Sequence, residues 1–143
     1  MGVSMRVWLG ACVILWTVAI VTGCGPSVGA TATGLVTFDG TPAPAGVIVT
    51  FQPQTPNSSA SIGVTNHEGR YDLRFNAKIR GVIPGESVVS LSLSEQFDAE
   101  GLPLAPDASR SIVIPPHYGQ RSMLVKTVKS GPNEIDIDVV TTK

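Results

Sequence analysis

From Gly34 onward, apolar and polar residues alternate with a period of two, and no stretch repeats convincingly with the period of a helix. Val47, Val49 and Phe51 alternate with Ile48, Thr50 and Gln52, and Tyr71, Leu73 and Phe75 with Asp72 and Arg74. Val89, Leu91 and Leu93 alternate with Ser90 and Ser92. The cleanest run sets Ile135, Ile137 and Val139 against Glu134, Asp136 and Asp138. Successive side chains of a strand point to opposite faces, so each run offers one face to a core and the other to water. The gaps hold turn formers: Asp39-Gly40, Asn66-His67-Glu68-Gly69, Pro84-Gly85 and Ser130-Gly131-Pro132-Asn133. Gly63 is a glycine inside a run and marks a candidate bulge. The pattern predicts strands near 34–38, 46–53, 60–66, 70–76, 86–93, 122–129 and 133–140. Pro103 and Pro106 oppose a helix over Leu102–Ser111. The expectation is an all-β chain, seven antiparallel strands in a two-sheet sandwich.

The N-terminus is of another kind. Arg6 precedes Val7–Val21, a run without charge. As a helix that run reaches about 22 Å, whereas a bilayer core is about 30 Å thick. That is the length of a signal-peptide core. An uncleaved anchor would need tilt or a thinned bilayer. An ordinary secretory signal would want an Ala-x-Ala site just after the run, but Ala30-Thr31-Ala32 comes several residues later. Val21-Thr22-Gly23-Cys24 follows the run instead, small residues ahead of a thiol. This segment resembles the signal and lipobox of bacterial lipoproteins. The resemblance implies a signal peptide over 1–23, removed by cleavage, and a diacylated (palmitate-type) Cys24 that fixes the protein to a membrane. Gly25–Thr33, small, polar and glycine-rich, reads with Cys24 as a flexible tether over 24–33. Gly25, where an aspartate would stand in some retained lipoproteins, resembles an outer-membrane or cell-surface address more than an inner-membrane one.

Beyond the signal, Cys24–Lys143 has the size of one domain. Both tryptophans and Cys12 lie in the signal, which leaves a single cysteine and no internal disulfide. The formal net charge is −1, with no basic stripe for nucleic acid and no polybasic cluster for anionic lipid, so neither partner is expected.

A second resemblance lies in the domain, 34–143. Gly34-Leu35-Val36 through Asp39-Gly40-Thr41-Pro42 to Gly46-Val47-Ile48-Val49 resembles the opening of carboxypeptidase regulatory-like domains. Thr65-Asn66-His67-Glu68-Gly69-Arg70-Tyr71-Asp72-Leu73 is similar to that family's Thr-Asp-x-x-Gly-x-Tyr-x-Leu, and Ile83-Pro84-Gly85-Glu86-Ser87-Val88-Val89 to its Pro-Gly-x-Tyr-x-Val strand. Asn66 replaces the usual aspartate and Ser87 the usual tyrosine, so the strand around Ser87 loses an aromatic core plug. The resemblance implies a transthyretin-like (prealbumin-like) seven-stranded sandwich.

No nucleophile elbow, His-Glu-x-x-His helix, phosphate loop or dinucleotide fingerprint occurs. His67 and His117 are the only histidines, too few for a structural zinc site, so no metal or other cofactor is expected. Glu134, Asp136 and Asp138 read as a solvated row on a strand face, neutralised across strands by Lys126 and Lys129. Ser94–Ser111 is long for a loop and carries four carboxylates, without the spacing of a calcium loop. Among the aromatic residues, Phe38, Phe51, Tyr71 and Phe75 fall on core parities, which leaves Phe97 and Tyr118 as candidate ligand-binding rings. The expectation is a non-catalytic, envelope-anchored module for structure, adhesion or protein binding, with an unknown envelope protein or glycan as partner. The alternatives are a carbohydrate- or calcium-dependent binding module, or an accessory domain of a separately encoded enzyme.

Overall fold

The computed structural model describes residues 27–94 and 112–141. The expected signal peptide, Cys24, Phe97 and the segment 95–111 lie outside the described residues.

The described residues are all β, with no helix: β1 (Ser27–Phe38), β2 (Thr41–Pro42), β3 (Val47–Pro53), β4 (Ser61–Val64), β5 (Arg70–Asp72), β6 (Arg80–Val82), β7 (Gly85–Leu93), β8 (Val125–Val128), β9 (Gly131–Glu134) and β10 (Ile137–Val139). They form two sheets. One is antiparallel throughout, in the order β4-β3-β7-β8. The other is built around β1, which pairs antiparallel with β2 and β5 but parallel with β6, β9 and β10. The all-antiparallel expectation therefore holds for the first sheet, and the second is mixed.

The chain crosses between sheets at both sides. At one, Ile62 and Arg74 exchange backbone hydrogen bonds of 2.9 Å each, joining β4 to the residues after β5. At the other, a turn leads from β8 into β9, where Asn133 Oδ1 accepts from the Lys129 amide at 2.9 Å and Nδ2 donates to the Lys129 carbonyl at 2.7 Å.

The strand count among the described residues is ten rather than seven because one expected strand splits in two and two short ones were not foreseen. The 133–140 run breaks into β9 and β10, with Asp136 between them accepting from the Leu35 amide at 2.8 Å. The 70–76 run is strand only to Asp72, and 122–129 only over Val125–Val128. β2 and β6 carry too few residues to show a period.

The larger difference lies at the start. Ser27–Thr33, within the segment expected as tether, is strand and belongs to β1. Its partners are β6 and β9, which flank it at Ala30 through Val82 on one side and Gly131 on the other. A strand with neighbours on both edges in a thin sandwich favours small side chains, and Ala30 and Ala32 are buried there.

The core follows the predicted parity. Val47, Val49 and Phe51 are fully buried between Leu91 and Val89 on one side and β4 on the other, while Gln52 is exposed. Val36, Leu73, Val82, Ile137 and Val139 close the opposite layer. Phe75 departs from its parity: it is only part-buried and lies outside the core cluster, because β5 ends before it.

Ser87 is fully buried, and its hydroxyl, like that of Ser61, has no hydrogen-bond partner. Ser61 stands opposite Phe51 and Ser87 opposite Pro53, so both hydroxyls face apolar neighbours. An unpartnered buried hydroxyl costs about 1–3 kcal/mol. Ser87→Ala is therefore expected to leave stability unchanged or raise it by about 1 kcal/mol, read as the urea midpoint. A clear loss of stability would show that this hydroxyl is bonded.

Candidate functional site

An open groove of ≈550 Å³ lies beside the end of β7, lined by Leu91, Leu93, Ile114, Pro116, Gly119 and Arg121, among others. Its second wall is the returning chain from Ile112 to Leu124, which is not strand yet is tied to β7. The Leu91 amide donates to the Tyr118 carbonyl at 2.7 Å, and the Val89 amide to the Leu124 carbonyl at 2.8 Å. Ser122 Oγ donates to the Val89 carbonyl. Pro115–Ser122 is a run of tight turns, with the Tyr118 amide bonded to the Pro115 carbonyl at 2.9 Å and the Ser122 amide to the Gly119 carbonyl at 3.0 Å. The prolines suit such turns and exclude a longer strand there. Ile112, Ile114, Tyr118 and Leu124 pack their apolar parts against the core from this segment.

The groove is an apolar slot with Ser92, Gln120 and Arg121 as its polar members. Such a lining can take aliphatic or aromatic side chains, with a carboxylate set against Arg121. Leu91 lies six residues beyond Gly85, about 20 Å along the strand. The groove therefore opens toward the end of the sandwich away from Ser27.

Tyr118 was expected to be an exposed ring. It is part-buried, packs against the core and does not line the groove, although its neighbours Gly119 to Arg121 do. The ring of exposed His117 lies 4.5 Å from it, tilted by 46°. Its partner in the expected pair, Phe97, is outside the described residues, so no ring platform is assembled among them. Sequence reasoning missed the groove because its walls come from strands and turns far apart in the chain. Leu93 and Ile114 carry no signal beyond their hydropathy.

The acidic row has structural partners rather than the expected lysines. β8, which carries Lys126, pairs with β7, whereas β9 and β10 pair with β1. The Asp138 carboxylate accepts from the Thr37 hydroxyl, Asp136 accepts from the Leu35 amide, and Glu134 lies 3.7 Å from Arg70. Asp39 accepts from the Thr141 amide and hydroxyl, and these bonds hold its carboxyl below the usual range. Tyr71 donates to the Ile135 carbonyl at 2.5 Å, and burial, aided by the Asp136 carboxylate, raises its phenol well above the ordinary tyrosine value. No group of three or more His, Cys, Asp or Glu side chains is placed to hold a metal ion among the described residues.

The fold and groove define an all-β sandwich with an apolar slot at one end. No family model, curated protein or solved structure matches the chain.

Proposed function

We propose that the protein is a lipoprotein of the bacterial cell envelope whose β-sandwich, of the carboxypeptidase regulatory-like kind, serves as a non-catalytic binding module for an envelope protein. The observation that carries this reading is that β1 already includes Ser27, three residues after Cys24. A lipid at Cys24 would hold the sandwich directly against a membrane by the end where β1 begins. The groove of Leu91, Leu93, Ile114 and Pro116 then faces away from that membrane, where an apolar segment of another protein can reach it. The packing of Tyr118 against the core favours a protein partner over a glycan, since sugar sites stack on free ring faces.

The test is intact mass of the protein from the membrane fraction of its native host. The expected mass begins at Cys24 and carries two or three acyl chains. Cys24→Ser should abolish that mass and leave residues 1–23 attached. A soluble unlipidated chain, or wild type retaining 1–23, would overturn the anchor. Turnover of generic peptide, ester or glycoside substrates by the mature protein would overturn the non-catalytic role.

A further inference from the structure

The end of the sandwich where β1 begins carries a basic surface that does not exist as a run in the sequence. After β5 the chain forms a hairpin, Arg74–Arg80. The Phe75 amide donates to the Ile79 carbonyl at 3.0 Å, and the Gly81 amide to the Leu73 carbonyl at 2.9 Å. Its tip is closed by Asn76, whose Oδ1 accepts from the Lys78 amide at 2.9 Å and the Ile79 amide at 2.8 Å. Arg74 and Arg80 stand directly opposite each other in this hairpin, between the flanking hydrogen bonds, where cross-strand side chains approach closely. Like charges so placed oppose folding. Asp72 offsets one of them, 2.6 Å from Arg80.

Arg74, Lys78 and Arg80 are exposed, and Lys129 is exposed in the β8–β9 turn, two residues before β9 begins beside Ala30. The carboxylates at this end among the described residues are Asp72, already engaged, and Glu86, with Glu134 level with Asp72 beside Thr33 and 3.7 Å from Arg70. Asp39, Glu68 and Asp138 lie at the other end, where β1 finishes. Phe75 and Ile79 add two part-exposed apolar side chains to the basic hairpin, outside the core cluster. Cations around an aromatic ring suit the boundary between headgroups and acyl chains.

Arg80 is in register with Ser27, the first residue of β1. Three peptide units of about 3.8 Å put Cys24 no more than about 11 Å from that residue. We propose that the Arg74–Arg80 hairpin and Lys129 form a docking surface for anionic phospholipid headgroups, which holds the sandwich upright on its membrane with the groove outermost. The proposal rests on the lipid at Cys24 for where the membrane lies, and on charge complementarity for what it binds. Each basic residue near an anionic surface raises association by roughly fivefold, and salt screens the effect.

The test uses the full protein recovered from host membranes. It is placed in vesicles of phosphatidylcholine alone, or with about a third phosphatidylglycerol to supply the anionic surface. A neutral acylating reagent then reports each lysine by peptide mass. Lys78 and Lys129 are expected to react about fivefold more slowly on the anionic vesicles than on phosphatidylcholine alone. High salt should restore their rates. Arg74→Glu with Lys129→Glu should remove the protection of Lys78, with a thermal midpoint near that of the wild type. Equal rates on both vesicle types would overturn the docking surface. So would protection by soluble polyglutamate but not by vesicles, which would assign the surface to an acidic protein. Intact mass of the same sample reports the lipid separately, so a missing anchor and a missing surface give different results.

Discussion

Gly34→Ala should lower stability by about 3 kcal/mol or more, among the largest effects one added methyl can have in this protein. A Cβ at residue 34 would lie 1.9 Å from the Ile135 carbonyl oxygen and 3.0 Å from Tyr71 Cε1. Neither can move aside cheaply. The Ile135 amide donates to the Thr33 carbonyl at 2.8 Å, and the Ile135 carbonyl accepts the Tyr71 hydroxyl at 2.5 Å. Gly34 also pairs with Tyr71 itself, so this glycine lets a buried tyrosine reach across β1 to the last strands. Urea unfolding of the Gly34→Ala protein measures the loss. A midpoint close to that of the wild type would show that β1 and the Ile135 backbone separate easily, and that the Tyr71 bond does not hold the two edges together.

The second large effect is expected at Phe51. Its side chain is fully buried, with Ser61 opposite on β4 and Val89 opposite on β7. Its ring centroid lies 6.3 Å from that of Tyr71 at 35°, so it bridges the two layers. Phe51→Ala removes the largest fully buried side chain among the described residues and leaves a cavity, at a cost of about 3–5 kcal/mol. A domain of this kind has about 5–15 kcal/mol in total, so the variant should be largely unfolded at moderate urea. Thr50→Ala, on the opposite face of the same strand and only half-buried, should cost less than about 1 kcal/mol. Similar losses at the two positions would mean that the faces of β3 are not inside and outside as described.

Those two predictions draw on different kinds of information. The parity of Phe51 is legible in the sequence because an alternating run has only two ways to face, and a shift by one residue would expose every apolar member. The same holds for Ile137 and Val139 against Asp136 and Asp138. Gly34 begins the stretch that resembles a regulatory-like domain, yet its need to be glycine depends on the carbonyl of Ile135, about a hundred residues away. Phe75 shows the converse. Its parity points inward, but the strand it continues has already ended, and parity says nothing about where a sheet stops.

The basic end and the groove were hidden for a related reason. Arg80 and Lys129 are far apart in sequence and share one end of the sandwich because β6 and β9 flank the same residues of β1. Leu93 and Ile114 meet because a segment with no periodic pattern lies along β7. Ser27–Thr33 is the sharpest case. Glycine, alanine and threonine suit a tether and also suit a crowded inner strand, and composition cannot separate the two. By itself the sequence determined the all-β class, the inward faces and most of the turns, because these follow from local dihedral preference and a period of two. Tertiary structure alone decided how far β1 extends, which pairings are parallel, and which charges share an end, because each depends on backbone partners that no local pattern encodes.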